Sequence, residues 1–293
     1  MFTGCGTALI TPFLADGAVD ESALRRLVKR QIDAGINFLV PCGTTGESPT
    51  LNRREHLRVV EITLEEAKGK VPVLGGAGGY NTAEVIELAG ELRHVGVDGI
   101  LSVTPYYNKP TQEGLYRHYR AVAENTKLPI ILYSVPGRCG IEVGVETAAR
   151  LARDCPNIVC IKEAGGSVDR VNQLRAALPA EFTIISGDDA IALPSMAAGA
   201  AGVISVASNI IPKEMSRMIQ AFADGRATEA SELHQRFYPL FKDLTLESNP
   251  IPIKTAVSLA GRISGEFRLP LCEMAPANAA KLLATLRNLN LVK

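Results

Sequence analysis

Short apolar runs alternate with longer amphipathic stretches along most of the chain. Each run is rich in β-branched residues and ends in a polar or glycine-rich turn, and roughly 9 to 15 residues with helical spacing follow it. The apolar runs are predicted as eight strands, over Gly6–Pro12, Phe38–Cys42, Val71–Leu74, Gly99–Thr104, Pro129–Val135, Ile158–Ile161, Phe182–Ser186 and Gly202–Val206. Strict alternation of strands and helices is typical of a parallel sheet.

The amphipathic stretches that follow the strands predict helices. They span Asp20–Ala34, Arg53–Ala67, Thr82–His94, Thr111–Asn125, Val145–Arg153, Val168–Ala177, Asp189–Ala198 and Pro212–Phe222. Residues suited to cap a helix N-terminus stand at four of the starts: Asp20, Asn52, Asn81 and Ser167. Eight strand–helix units in about 220 residues indicate an α/β fold of the (β/α)8, or TIM, barrel type. A doubly wound parallel sheet is the alternative.

After Phe222 the strand pattern stops and only helical spacing continues. Helices are predicted over Ala227–Leu244, from Ile253–Ser258 onward, and over Pro276–Leu289. No linker rich in Gly, Ser or Pro separates this part from the preceding residues. We therefore expect a barrel over residues 1–224 and a C-terminal helical region over residues 225–293, packed on the barrel as one compact unit.

The composition narrows the class of protein. The 293 residues carry a formal net charge of zero, and phosphate binding needs a basic face, so nucleic acid is not expected as a partner. No apolar run approaches the ~18 residues of a membrane helix, and the segment that starts at Met1 does not resemble a signal peptide. Six scattered cysteines without a CxxC pair predict reduced thiols in a cytoplasmic protein.

The histidines argue against a metal site. All four fall within predicted helices, and no two have the spacing of metal ligands: His56, His94, His118 and His234. His94 and His118 are expected at the surface. The sequence also lacks the glycine patterns that bind dinucleotides or phosphates at strand-to-helix turns. We therefore expect neither a metal nor another cofactor.

Lys162 closes the apolar run Ile158–Ile161, which is predicted as a buried strand of the parallel sheet. An amine in such a place is poorly solvated, and desolvation disfavours the ammonium form of lysine. The neutral amine is a nucleophile for carbonyl carbons, which makes Lys162 a candidate for Schiff-base chemistry. The alternative is a side chain that extends past the edge of the sheet and keeps its amine in water.

Further polar and reactive side chains follow the other predicted strands, at the edge of the barrel where active sites lie. They contain a hydroxyl pair, phenols, a guanidinium and carboxylates: Thr44, Thr45, Tyr106, Tyr107, Tyr133, Arg138, Asp188 and Asp189. Local turn bonds of the threonines and simple packing of Tyr106 and Tyr107 remain alternatives. We expect Glu47 to accept N–H groups of its own turn and Asp189 to cap the next helix.

Five motifs occur in order and point to a known family. They are Gly43–Glu47 (GTTGE), Thr104–Thr111 (TPYYNKPT), Tyr133–Arg138 (YSVPGR), Ile161–Ala164 (IKEA) and Ser186–Asp189 (SGDD). The set closely resembles the dihydrodipicolinate synthase family of Schiff-base-forming pyruvate lyases. The resemblance covers essentially the whole chain, including Asn249–Lys254 (NPIPIK). Arg138 and the threonine pair favour the synthases over neuraminate and keto-sugar-acid lyases.

The resemblance implies the condensation of pyruvate with L-aspartate 4-semialdehyde to 4-hydroxy-tetrahydrodipicolinate, on the route to diaminopimelate and lysine. Lys162 would form an imine with pyruvate. The implied proton relay consists of Tyr133, Thr44 and Tyr107, the last of which the family donates across a subunit interface. The implied substrate contacts are Thr45, Arg138, Gly187, Asp188 and Ile204. Members of the family are usually homotetramers, built as dimers of dimers.

Two departures from the family pattern affect the expected behaviour. Ser134 stands beside the relay where the family usually has asparagine, and it is expected to tune the relay. The lysine effector site of many members is matched by Ser48, His56, Glu84 and Tyr106. Pro49, Arg53 and Tyr80 replace the alanine, histidine and asparagine that are frequent in lysine-sensitive members. Because Arg53 adds positive charge where a cationic ligand would bind, weak or absent lysine inhibition is predicted.

Two rival functions remain open from the sequence. A sister lyase that cleaves a keto-sugar acid to pyruvate would share Lys162 and Tyr133 but would not need Arg138. A non-catalytic barrel that binds small oxo-acids would form no covalent adduct with them. Both rivals make chemical predictions that differ from those of the synthase.

Overall fold

Eight parallel strands form one sheet in the computed structural model, which describes residues 2–293. The strands are β1 (Gly4–Ala8), β2 (Phe38–Val40), β3 (Leu74–Gly76), β4 (Gly99–Val103), β5 (Ile130–Ser134), β6 (Ile158–Glu163), β7 (Thr183–Ser186) and β8 (Gly202–Ser205). Their order is β2-β1-β8-β7-β6-β5-β4-β3. Leu39 bridges to Val73, and its N–H donates to Pro72 O at 2.9 Å, so the two edge strands meet. The predicted barrel is confirmed, and the doubly wound alternative is wrong.

Helices connect the strands and complete the C-terminal part. They are α1 (Glu21–Asp33), α2 (Arg53–Ala67), α3 (Thr82–Val95), α4 (Gln112–Asn125), α5 (Pro136–Cys139), α6 (Val145–Asp154), α7 (Val168–Ala177), α8 (Ala192–Ala197), α9 (Pro212–Ala223), α10 (Ala227–Asp243), α11 (Ile251–Leu259) and α12 (Pro276–Asn288). Every predicted N-cap side chain accepts from the first turn of its helix: Asp20, Asn52, Asn81 and Ser167. No helix within residues 2–293 combines the length and the apolar character required to cross a membrane.

The predicted elements differ from the observed ones mainly at their ends. β1 ends at Ala8 rather than Pro12. β3 lies at Leu74–Gly76 and shares only Leu74 with the predicted strand Val71–Leu74. β6 continues through Lys162 to Glu163, because its pairing with β5 extends that far. The short helix α5 was not predicted; it begins at Pro136, whose ring fixes φ near the helical value and suits the first helical position.

Alternate residues of each strand face the barrel interior and the surrounding helices. On β5, Ile131 and Tyr133 belong to the inner apolar cluster, whereas Leu132 packs in the outer one. On β6, Cys160 belongs to the inner cluster, and Lys162 lies two positions further along the strand. The side chain of Lys162 therefore faces the interior, in register with Tyr133.

The C-terminal helices pack on the barrel and on one another. α10 contacts α9, α12 contacts α10 and α11, and α11 contacts the 3-10 turn that follows β8. Arg268, beyond α11, donates to the backbone oxygens of Gly17 and Thr50 and pairs with Glu55 at 2.6 Å. These contacts join the C-terminal part to loops that follow β1 and β2, which lie at the active-site edge of a TIM barrel.

His118 is buried, so the expectation that it lies at the surface is wrong. Its Nδ1 lies 2.9 Å from Thr82 Oγ1, and its ring meets the Tyr119 ring edge-on at 5.0 Å. Helical spacing alone did not reveal that this side of α4 packs against α3. Burial lowers the pKa of His118 to about 4, so the imidazole is neutral near pH 7. His94 is exposed, as expected.

Five free cysteines are buried, and one is exposed: Cys5, Cys42, Cys139, Cys155 and Cys160 are buried and Cys272 is exposed. Burial raises the pKa of Cys139 to about 11 and raises the pKa of Cys42 further. Because the thiolate is the nucleophilic form of cysteine, these two thiols are poor nucleophiles near neutral pH.

Candidate active site

Lys162 and Tyr133 meet inside the carboxyl end of the barrel. Lys162 is 5% exposed and Tyr133 is 7% exposed, and Lys162 Nζ lies 4.1 Å from the centroid of the Tyr133 ring. The contact follows from the strand register, because Tyr133 of β5 is paired with Lys162 of β6. The alternative in which the amine extends into water is therefore wrong.

A cavity of about 420 Å³ opens beside Tyr133. Its lining includes Thr44 after β2, Tyr133 on β5 and Arg138 on α5. Thr44 is half-buried, and Arg138 is exposed. Three of the predicted site residues thus share one space, and its volume is typical of sites for small ligands.

Asn249 joins Thr45 to Arg138. Its Nδ2 donates to Thr45 Oγ1 at 2.9 Å, and its backbone oxygen accepts from Arg138 Nη2 at 2.9 Å. Thr45 is buried, whereas Arg138 lines the cavity, where the other N–H groups of a guanidinium can bind a carboxylate. The sequence assigned no role to Asn249, because nothing near it in the chain signals contacts with the ends of β2 and β5.

Gly187 leaves room for the side chain of Lys162. A Cβ at residue 187 would lie 2.9 Å from Lys162 Cε and 2.5 Å from Ala164 Cβ. Ile204 belongs to the inner apolar cluster on β8. The Asp188 carboxylate accepts from a backbone N–H two residues further on, at 2.8 Å, and so supports its own turn.

Tyr107 does not line the cavity described for this chain. It is 87% exposed and has a φ of 64°, a left-handed conformation that is uncommon for residues other than glycine. Its neighbour Tyr106 packs edge-on against Tyr80, with ring centroids 5.1 Å apart. Within one chain, Tyr133 and Thr44 therefore share the cavity, and Tyr107 projects away from it.

The predicted effector residues line the same cavity: Ser48, His56, Glu84 and Tyr106. His56 is buried with Nε2 2.9 Å from Gly76 O, and burial lowers its pKa to about 4. Arg53 also lines the cavity, and its guanidinium lies 3.6 Å from Glu87 and 3.4 Å from Glu91. The effector residues therefore share one cavity with Thr44, Tyr133 and Arg138.

The carboxylates of Glu47 and Asp189 bind partners other than those predicted from the sequence. Glu47 does not accept from its own turn: its Oε1 pairs with Lys254 Nζ at 2.5 Å. Asp189 does not cap the helix that follows it: its Oδ2 accepts from the N–H groups of Val206 and Ala207, at 3.0 and 2.8 Å. Burial raises the pKa of Asp189, and these N–H bonds oppose the rise. Both expectations considered only neighbours in sequence, whereas the true partners lie on other elements.

The remaining histidine contacts serve the packing of helices. His234 of α10 has its Nε2 2.8 Å from Ala190 O, which lies just before α8. Within residues 2–293, the side chains of His, Cys, Asp and Glu form no group of three or more that could hold a metal ion.

The protein is a closed (β/α)8 barrel in which a buried lysine on β6 faces a tyrosine on β5. These features define a class of protein, the (β/α)8 barrels that present an amine at the active-site edge. The sequence model of the dihydrodipicolinate synthetase family matches residues 1–289. The chain belongs to this family, and the resemblance inferred from its motifs is confirmed.

Individual relatives agree over nearly the full length. The chain is 50% identical over 280 residues to the 4-hydroxy-tetrahydrodipicolinate synthase of Koribacter versatilis, which covers 95% of this chain and 93% of the relative. The synthase structure from Methylacidiphilum fumariolicum SolV has a TM-score of 0.97 at 49% identity, covering 99% of this chain and 96% of that one. A synthase from Cyanidioschyzon merolae, solved with lysine bound, has a TM-score of 0.96 at 40% identity, covering 99% of each chain.

Proposed function

We propose that this protein is a Schiff-base lyase that condenses pyruvate with L-aspartate 4-semialdehyde to give 4-hydroxy-tetrahydrodipicolinate. The observation that carries the proposal is the buried Lys162 amine, 4.1 Å from the ring centroid of Tyr133, in a chain of this family. The names of the relatives support the same activity. The product lies on the route to diaminopimelate and lysine.

The chemistry begins at the Lys162 amine. The amine adds to the keto carbon of pyruvate, and loss of water leaves an imine. Once protonated, the imine withdraws electrons, so the methyl carbon loses a proton and becomes an enamine nucleophile. The enamine attacks the aldehyde carbon of the second substrate. The amino group of that substrate then displaces Lys162 and closes the ring, which regenerates the free amine.

The proton relay consists of Tyr133, Thr44 and Tyr107 in this proposal. Hydroxyl groups linked by hydrogen bonds can pass a proton between substrate and solvent. Tyr133 and Thr44 line one cavity, and the exposure of Tyr107 leaves its phenol available to a second copy of the chain. We assign a homotetramer built as a dimer of dimers, and sedimentation velocity measures this oligomeric state directly. We also assign the protein to the cytoplasm.

The two substrate carboxylates are assigned to different groups. Thr45 binds the carboxylate of pyruvate, and Arg138 binds that of the semialdehyde, where a guanidinium can donate two parallel hydrogen bonds. Gly187 and Asp188 border the semialdehyde, and Ile204 borders pyruvate. The link from Thr45 through Asn249 to Arg138 supports this arrangement, because hydrogen bonds connect both residues to one asparagine.

Assays with the two substrate classes test the proposal. Purified protein is incubated with pyruvate and aspartate semialdehyde, and separately with keto-sugar acids in the cleavage direction. We expect turnover of the semialdehyde and none of the keto-sugar acids. Cleavage of a keto-sugar acid without semialdehyde turnover would establish the sister lyase instead. Absence of any covalent adduct with pyruvate would favour the non-catalytic barrel that binds small oxo-acids.

Replacing Arg138 with alanine is expected to lower kcat/KM for the semialdehyde about 100-fold, because charge-assisted hydrogen bonds to its carboxylate are lost. Borohydride trapping of pyruvate on Lys162 should continue, since Arg138 does not contact that substrate in the proposal. Arg138→Lys is the matched control and should recover part of the loss, because it restores the charge without the planar fork. Unchanged semialdehyde kinetics in Arg138→Ala would favour the sister lyase.

Replacing Gly187 with alanine is expected to lower kcat/KM about 100-fold, because a misplacement of the reacting group by about 1 Å has an effect of that order. The added methyl overlaps Ala164 and displaces the side chain of Lys162. Gly90→Ala is the control, since its added Cβ meets no atom within 4 Å. Steady-state kinetics within about twofold of wild type for Gly187→Ala would contradict the assigned position of the amine.

Lysine is expected to inhibit the wild-type enzyme only weakly, with an inhibition constant above about 1 mM, because Arg53 places a like charge in the effector space. Pro49 and Tyr80 change the same region. Exchanging Arg53 for histidine together with Tyr80 for asparagine should lower the inhibition constant. A wild-type constant well below the millimolar range, measured by initial-rate kinetics, is the result that opposes this prediction.

A further inference from the structure

Glu47 and Lys254 form an ion pair in the interior of the protein. Glu47 Oε1 and Lys254 Nζ lie 2.5 Å apart, and both side chains are fully buried. Lys254 Nζ also lies 4.3 Å from the centroid of the Phe13 ring and 4.8 Å from that of Phe267. Burial lowers the pKa of Lys254, and Glu47 opposes this by stabilising the ammonium form.

Stability alone does not explain such a pair. Removing two charges from water is costly, and apolar residues of similar volume usually give a protein of equal or greater stability. A buried pair fixes the relative position of the two segments that carry it, because each charge is strongly destabilised if it leaves its partner. The positions of those segments therefore indicate what the pair does.

Glu47 lies on the turn that presents the threonine pair. Its own N–H donates to Thr44 O at 3.1 Å, so the backbone of Glu47 and that of Thr44 are joined. Glu47 has a φ of 54°, a left-handed conformation that a residue other than glycine adopts at a free-energy cost. Thr11 Oγ1 donates to Gly46 O at 2.7 Å in the same turn. A shift of Glu47 would therefore move Thr44 and Thr45.

Lys254 lies on α11, directly after the segment that contains Asn249. Its N–H donates to Pro250 O at 2.9 Å, in the first turn of the helix. Asn249 contacts both proposed carboxylate sites, through its Nδ2 to Thr45 and its backbone oxygen to Arg138. The ion pair and Asn249 are thus two connections between the turn after β2 and the start of α11.

We propose that Glu47, Lys254 and Asn249 are positioning residues that set the distance between the pyruvate carboxylate site at Thr45 and the semialdehyde carboxylate site at Arg138. This role rests on the function proposed above. None of the three acts on a reacting atom. Thr45 is buried in a turn with its own backbone bonds, whereas Arg138 is exposed, so the position of Arg138 depends more strongly on Asn249.

Two variants test the positioning role. The double variant Glu47→Leu with Lys254→Met removes both charges at similar volume and should fold. Asn249→Ala keeps the ion pair and the backbone bond to Arg138, but it removes the side chain that holds this segment against Thr45, so the carbonyl that positions Arg138 is freed to move. Thr255→Val is the control on α11, because the Thr255 hydroxyl bonds only to Ile251 O of its own helix in the described contacts. Thermal unfolding, the KM for each substrate, kcat and borohydride trapping of pyruvate are measured for each.

In both test variants, the KM for the semialdehyde is expected to rise about tenfold and the KM for pyruvate by less than about threefold, in line with the sensitivity of bound geometry to small displacements. Trapping of pyruvate on Lys162 should persist, and Thr255→Val should match wild type. A purely structural role would lower the unfolding temperature and leave both KM values unchanged, which would overturn the proposal. If the double variant does not fold, Asn249→Ala decides by the same criterion.

The outcome separates this proposal from the function on which it rests. A wild-type protein that forms no imine with pyruvate would refute the proposed function, and the positioning role with it. A wild-type enzyme that traps pyruvate and turns over the semialdehyde, beside folded variants with unchanged KM values, would refute only the positioning role.

Discussion

Replacing Lys162 with alanine is expected to lower kcat by a factor of about 10⁴ or more, because the amine that activates pyruvate is removed. The side chain lies on the inner face of β6 and is 5% exposed, so no other described lysine can take its place against Tyr133. The barrel should remain folded, because the substitution deletes a buried polar group and leaves the strand ladder to β5 and β7 intact.

Kinetics, borohydride trapping and thermal unfolding of the Lys162→Ala protein check this expectation together. Lys109→Ala is the matched control, because Lys109 is an exposed lysine in the loop after β4. The control should keep both turnover and trapping. Trapping that persists in Lys162→Ala on another lysine would overturn the assignment of the nucleophile.

Replacing Tyr133 with phenylalanine is expected to lower kcat by about 10² to 10⁴, the range of positioned general acid–base groups. The ring would still pack beside the Lys162 amine and in the inner apolar cluster, so stability should change little. Exchange of pyruvate methyl protons in D₂O, without the semialdehyde, reports directly on enamine formation and should slow by a similar factor. Trapping of the imine by borohydride should remain detectable.

Tyr119→Phe is the control for loss of a buried phenol. Tyr119 is fully buried on α4 and donates to Ser102 O at 3.3 Å, outside the barrel interior. This variant should lose about 1 kcal/mol of stability with unchanged methyl exchange. Methyl exchange in Tyr133→Phe that equals wild type would show that another group moves the proton.

The barrel and its central pair could be predicted from sequence because both depend on local periodicity. The apolar runs have the length of strands, and the two-residue alternation along β5 and β6 places Tyr133 and Lys162 on one face. The two residues then lie side by side, because neighbouring parallel strands end at the same edge of the sheet. The family motifs then assigned roles to the residues around the pair, and those roles remain proposals for this chain.

The contacts that sequence reasoning missed join residues far apart in the chain. Glu47 pairs with Lys254, and Asn249 joins Thr45 to Arg138, and no periodic pattern relates these positions. A carboxylate in a turn has local N–H groups as the obvious partners, which explains the wrong expectation for Glu47. Tyr107 is a separate case, because its proposed role depends on contact with a second copy of the chain and not on contacts within one chain.

Peptide mapping of the wild-type protein after borohydride reduction with pyruvate identifies the lysine that forms the imine. Digestion and tandem mass spectrometry locate any reduced pyruvyl adduct. We expect one adduct, on the Lys162 amine, that forms only when pyruvate is present. An unmodified Lys162 peptide, or an adduct on a different lysine, would show that Lys162 is not the nucleophile.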